Sequence, residues 1–417
     1  MDILVPIFAF VPVGIVVIIV VLRSAPPAER QWLLPVLVTA FLMRIGVATM
    51  FVAFPGLRIF HEDTEGTEWG GMMIASAWRG EGPPMVLPEK NWGFYHLAGI
   101  IYYVFGRYQV NVSYFNALLG TLITYCVYNL SKQLFHVVVA KRAALLVGFM
   151  PSMVLWGSMA LKDVPVTFFI ILSLSSCVAL KDKITTPALA GTLLPLIPIQ
   201  AMRFYIVYFV VFAIVIGLFL DRGMSRLTGI YRQLALFAAI GGLFLMIGLA
   251  DQAETDASSF MSLEYVSSYR RGMAISANSG FDADVDISRP SGALAYLPIG
   301  LAHLLLAPFP WQMTSLRAMI AAPETIFWWT LFPATIRGMI FAVRRRLSET
   351  LPLLVFSGTL SAVYSLMHGN VGSAFRQRAQ ILVFLFIFSS VGTFLKKARQ
   401  VGVDEGELLH KKPAPAT

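Results

Sequence analysis

The stretch Phe60–Gly71, FHEDTEGTEWGG, carries four acids, Glu62, Asp63, Glu65 and Glu68, beside His61 and Trp69. Carboxylates this dense can take a proton from a hydroxyl, orient it for attack, or hold a metal ion. His61 and Asp63 permit a divalent cation such as Mg or Mn without requiring one. A loop outside the membrane is polar for solvation alone, so the acids by themselves do not decide between chemistry and solvation. Asp163 lies in the turn Met159–Pro165, directly after Lys162. An acid here either works on a substrate or begins the next helix, where its charge suits the N-terminal dipole. Arg203 follows Gln200 at the end of an apolar run. Arginine is the natural partner of phosphate, and it also snorkels to membrane interfaces. The segment His368–Arg378, HGNVGSAFRQR, combines a glycine-containing turn with His368, Arg376 and Arg378, a set suited to an anion. Asp282, Asp284 and Asp286 alternate like metal ligands, but the Gly and Glu of an EF-hand are missing, and they read as solvated loop charge. Arg44 lies inside an apolar run and needs a partner or a cavity.

The elements that must hold these groups are membrane helices. Apolar residues make up 57% of the chain and charged residues 13%, with a mean hydropathy of +0.72, whereas a soluble domain is about one-quarter charged. Runs near the ~20 residues that cross a bilayer predict spans at Ile3–Leu22, Trp32–Phe54, Ser113–Phe135, Arg142–Ala160, Val164–Leu180, Pro187–Ala201, Phe204–Leu220, Leu234–Ala250, Pro323–Val343, Leu351–Met367 and Ala379–Leu395. Trp92–Gly106 and Gly292–Trp311 are short or broken by proline and predict re-entrant or surface-lying helices. The expected fold class is an all-α polytopic membrane protein of about 11 spans. It forms one domain over residues 1–400, with outer loops at 55–92 and 251–292 and a cytoplasmic, disordered tail at 401–417. Ile3–Leu22 lacks a basic leader and reads as a retained span. Cys126 and Cys177 lie in apolar runs, which argues against a disulfide framework or a thiolate metal site.

Charge sets the topology. Arg23, Lys132, Lys141, Arg142, Lys181, Arg222, Arg344–Arg346, Lys396 and Lys397 fall in one set of loops, cytoplasmic by the positive-inside rule. The net charge of +9 reflects these loops rather than a nucleic-acid partner. The acid-rich loops 55–91 and 251–291 then lie outside. So do Lys162–Asp163, Gln200–Arg203 and His368–Arg378.

The order of features from residue 58 to 220 resembles the GT-C superfamily of multi-span glycosyltransferases, especially bacterial relatives of glycosyltransferase family 39. The resemblance rests on Asp63-Thr64-Glu65-Gly66, Trp69, Ala75–Gly80, Gly93–Gly106, Asn116–Gly120 with Tyr128 and Leu134-Phe135, Ala143–Pro151, and a second outer acid in Ser158–Asp163. It implies a catalytic acid at Asp63 or Glu65 and a second at Asp163, with Glu62 and Glu68 as solvated neighbours. The adjacent Asp-Glu pair of the family is absent here.

The resemblance implies a polyprenyl-phosphate-linked sugar as donor and a glycan, lipid or protein as acceptor. Transfer would take place on the extracytoplasmic face of a bacterial inner membrane. From their own charge and placement, rather than from the resemblance, Lys162, Arg203, His368, Arg376 and Arg378 are the expected ligands of the lipid phosphate. A surface-polysaccharide polymerase or ligase would use the outer arginines and His368 without the early acidic loop. A transporter would place ionisable residues along a midplane path, where only Arg44 is found.

Overall fold

The structure, a computed structural model, describes residues 4–54, 57, 64–82, 92–219, 262–313 and 316–401. Among these residues the regular structure is helical, joined by one isolated β-bridge between Gly280 and Asn370. The chain divides into two compact units. The first comprises residues 1–172 and 198–206, the second 173–197 and 207–417.

The first unit begins with α1 (Leu4–Leu22) and α2 (Pro27–Ala53), followed by α3 (Glu65–Trp78), α4 (Trp92–Phe105), α5 (Asn111–Leu134), α6 (Val137–Phe149) and α7 (Pro151–Gly157). It takes in the start of α8 (Asp163–Asp182) and the segment around Arg203 in α10 (Leu196–Phe219). The expected span Arg142–Ala160 is broken into α6 and α7 by a 56° bend. Pro151 causes the break: without an N–H it cannot donate to the carbonyl of Val147. Arg44 in α2 supplies the missing donor. Its Nη2 donates to Val147 O at 3.2 Å, and its Nη1 donates to Gly148 O and Ala40 O, each at 3.0 Å. The partner that the sequence requires for Arg44 is therefore a helix end rather than an acid. The guanidinium fits because Gly120 and Gly157 flank it; a Cβ on either would come within 2.9 and 2.8 Å of Arg44 Nε.

The second unit holds α9 (Thr186–Leu193), α11 (Leu263–Ser276), α12 (Pro290–Leu306), a 3₁₀ turn at Pro310–Gln312, α13 (Leu316–Arg345), α14 (Leu347–Met367), α15 (Val371–Gln377) and α16 (Ala379–Val401). The second half of α8 and most of α10 also belong to it. Helices α13 and α16 touch backbone to backbone, since a Cβ on Gly338 would meet Phe388 O at 1.9 Å and one on Gly392 would meet Ala334 O at 1.8 Å. Small residues at such crossings are how membrane helices gain close packing when lipid offers no hydrophobic drive.

Among the described residues seven helices are long and apolar enough to cross a membrane, or eight if α6 and α7 count as one span. The eleven expected differ for physical reasons. Helix α5 is long enough but buries polar side chains, including Asn116, Thr121, Thr124 and Ser131. Pro187–Ala201 and Phe204–Leu220 form one helical run, Thr186–Phe219, broken at Arg203 with φ −156° and ψ 76°. Unbroken, its 34 residues would reach about 51 Å at 1.5 Å per residue, against a hydrocarbon core of ~30 Å. Leu234–Ala250 lies outside the described residues, as does the tail at 402–417. The two doubtful stretches are short helices, α4 and α12, as expected.

Adding a methyl group at the arginine cage should be costly. Gly120→Ala and Gly157→Ala should each lower the thermal stability of the purified protein in detergent by about 1–3 kcal/mol, the usual cost of overpacking. Arg44→Met should do so by at least as much, because it leaves buried carbonyls unpaired. A melting temperature unchanged in all three would refute the cage.

Candidate active site

In the first unit Asp163 begins α8, as an N-terminal acid should, and it also pairs with Arg203. The carboxylate Oδ1 lies 2.7 Å from Arg203 Nη2, and both side chains are almost fully buried. The Thr167 hydroxyl donates to Asp163 O at 2.7 Å and tightens the first turn. The preceding turn is pinned by Asn116, whose Nδ2 donates to Met159 O at 2.7 Å and Leu161 O at 2.8 Å. Met159 and Leu161 pack with Phe51, Val47, Leu57, Leu155 and Trp156. Leu57 thus packs on the turn that leads into Asp163.

The acidic stretch is followed in sequence by α3. Glu65, in its first turn, is exposed. Glu68, one turn on, is buried, which corrects its reading as a solvated neighbour. The Thr64 hydroxyl donates to Glu68 Oε1 at 3.3 Å, and the Glu68 N–H donates to Thr64 O at 3.0 Å. Burial, and then the charge of Glu68, raises the pKa of the Tyr102 phenol in α4. Tyr102 therefore stays a neutral phenol. Helix α3 packs on α4 through Gly70, Gly71 and Gly99, and Arg79 closes the pair by donating to Tyr102 O and Tyr103 O at 2.9 and 2.8 Å. The start of α4 in turn meets the Arg203 segment, where a Cβ on Gly93 would lie 2.6 Å from that of Ala201. The first unit thus links the acidic helix, α4, Arg203 and Asp163 through direct contacts. Lys162 is half-buried beside Asp163. His61 and Asp63 lie outside the described residues, and no group of three or more metal-ligating side chains forms among those described.

His368, Arg376 and Arg378 belong to the second unit. Arg378 is fully buried. Its Nη1 donates to Ala307 O at 2.7 Å and Leu305 O at 3.3 Å, and its guanidinium lies 4.2 Å from the Phe375 ring centroid. Burial lowers its pKa to about 10, opposed by the charge of Glu324, so it remains a cation at neutral pH. His368 is buried against the Tyr364 ring, and Arg376 is half-buried. The N–H groups of Gly372 and Ser373 donate to Asn370 Oδ1, the N-cap of α15, at 2.7 and 3.3 Å. These two backbone donors are therefore used within the turn. Asp282, Asp284 and Asp286 are exposed, as expected of loop charge. Asp286 nonetheless accepts from Ser288 N at 2.9 Å, which holds its carboxyl below the usual range.

Asn116 and Glu68 are the groups that sequence reasoning passed over as actors. Asn116 carried a signal, an amide in an apolar helix, which must find hydrogen bonds. Glu68 carried none apart from its spacing to Gly71 and Ile74, which shares the buried face of α3.

Breaking the buried pair should be expensive. Asp163→Ala and Arg203→Ala should each cost about 3–5 kcal/mol, because each leaves an uncompensated buried charge. The double variant should lose clearly less than the sum. Thermal unfolding in detergent measures this cycle, and additive losses would contradict the pairing.

Residues 57–218 match the family model described as dolichyl-phosphate-mannose-protein mannosyltransferase, the stretch that carries the GT-C resemblance in the sequence. Among curated proteins no sequence matches the chain. Two crystal structures of the oligosaccharyltransferase of Archaeoglobus fulgidus share its fold. The apo form is 12% identical over 92% of this chain and 54% of that one, with a TM-score of 0.52. The form in complex with Zn and sulfate is 12% identical over 88% and 50%, with a TM-score of 0.50. This chain spans about half the length of those proteins. The chain is thus similar to that mannosyltransferase family over residues 57–218, and its many-helix fold is similar to that of the oligosaccharyltransferase.

Proposed function

We propose that the protein is a membrane glycosyltransferase that moves a sugar from a polyprenyl-phosphate donor to a hydroxyl-bearing acceptor on the extracytoplasmic face. The observation that carries this reading is the join within residues 57–218. There α3, which follows the acidic stretch in sequence, is tied through α4 to the segment of the buried Asp163–Arg203 pair, and Leu57 packs on the turn that leads into Asp163. In the reaction a carboxylate of the loop, Asp63 or Glu65, takes the acceptor's hydroxyl proton. The oxygen attacks the anomeric carbon, the bond from that carbon to the phosphate oxygen breaks, and the lipid phosphate leaves with the electron pair. Asp163 and Arg203 pair with each other, so in this scheme they fix the floor of the site, and half-buried Lys162 beside them is assigned to the donor phosphate. The acid-rich loops favour a site outside the cytoplasm, where cytoplasmic nucleotide sugars are not available, and this supports a lipid-borne donor.

The test is transfer by the purified protein in liposomes, supplied with polyprenyl-phosphate-linked mannose and other lipid-linked sugars, reading release of the free lipid phosphate. Asp63→Asn combined with Glu65→Gln should lower the rate by at least the 10²–10⁴-fold typical of losing a general base, and Lys162→Ala should weaken donor binding. Full activity in the double carboxamide variant would sink the assignment.

A further inference from the structure

In the second unit a polar cluster links the loop after α11 to the 3₁₀ turn after α12. Arg270 is fully buried; it donates to Asp282 O at 2.7 Å, to Phe281 O at 3.3 Å and to the Tyr296 hydroxyl at 2.8 Å. Tyr296 donates in turn to Asp282 Oδ2 at 2.9 Å. His303 of α12 lies flat on Phe281, 4.0 Å between ring centroids, with Phe309 against its edge. Its Nε2 is 3.7 Å from Asp282 Oδ2, and its Nδ1 is 3.2 Å from Gln312 Nε2.

The direction of each hydrogen bond is fixed by counting donors. The Phe309 N–H can only donate, and it faces Gln312 Oε1 at 3.1 Å. The amide nitrogen of Gln312 therefore faces His303, and Nδ1 must accept. The single proton of the neutral ring sits on Nε2, toward Asp282. A second proton has no place in this arrangement. On Nδ1 it would confront the Gln312 NH₂ group. Rotating the amide by half a turn would satisfy Nδ1 but set that NH₂ against the Phe309 N–H. One end of the Gln312 bridge must break.

We infer that His303 is a one-proton latch on the Phe309–Gln312 turn, closed when the ring is neutral and released when it is protonated. The turn carries Phe309 and Trp311, stacked 4.9 Å apart. With Leu306, Trp329, Phe332 and Pro333 they line an apolar groove of about 470 Å³, so release changes one wall of that groove. The charges acting on His303 are Asp282 from the loop and Arg270 from α11. Burial, aided by Arg270 and opposed by Asp282, holds the ring below its usual 6.5. Because the folded pKa lies below the unfolded one, the unfolded chain takes up the proton first, and stability is lost as the pH falls below about 6.5.

The experiment is a tryptophan-emission titration of the full chain in lipid nanodiscs from about pH 8 to about pH 4.5, across the range where histidine titrates. Subtracting Trp311→Phe isolates Trp311. The difference signal should change along a one-proton titration curve below about pH 6.5. It should be flat in His303→Phe, which cannot be protonated. It should also be flat in Gln312→Glu, whose carboxylate can accept from Phe309 N–H and from the charged imidazole together. A Trp311 signal that does not depend on pH, or a transition that survives either substitution, would overturn the latch.

Discussion

The fold depends on what happens to backbone carbonyls where a helix stops inside an apolar medium. No water is there to donate to the carbonyls of the last turn, and each orphaned group costs several kcal/mol unless a donor reaches it. This chain meets the problem repeatedly with arginine. Arg44 serves the broken end of α6, Arg79 the end of α4, Arg270 the loop at Phe281 and Asp282, and Arg378 the end of α12. Each side chain reaches across from another element, so the same bond that satisfies a helix end also fixes a tertiary contact. The planar fork of the guanidinium suits this use, because it can address two neighbouring carbonyls at once.

Arg203 is used differently. Its carboxylate partner is the first residue of α8, whose N-terminal dipole also favours that charge, and the pair sits where a long apolar helix is interrupted. The interruption and the ion pair support each other. Without the break Arg203 would lie in the middle of a helix too long for the bilayer, and without Asp163 the break would bury an uncompensated cation.

The sequence made the class of fold legible, because span length and hydropathy are local properties. Asp163 and Arg203 were both visible as polar residues at the ends of apolar runs. Their pairing was not, since it joins residues that are neighbours only after folding. The intramolecular partners of Arg378 and of the Gly372 and Ser373 amides were not legible either, for one reason. A sequence shows donors but not the carbonyls and the Asn370 oxygen that meet them. The N-cap could have been read from Asn370 before a short helix. Glu68 was hidden because its burial comes from α4, which no pattern near residue 68 announces.

The break at Arg203 also bears on how the chain enters the membrane. Thr186–Phe219 is a long apolar run with an arginine near its middle, and an arginine at the centre of an inserting helix costs about 2.5–3.5 kcal/mol. Asp163 precedes it in the chain and is therefore made first. When Arg203 leaves the ribosome its counter-charge is already in place, and the order of synthesis matches the order in which the charges can be neutralised.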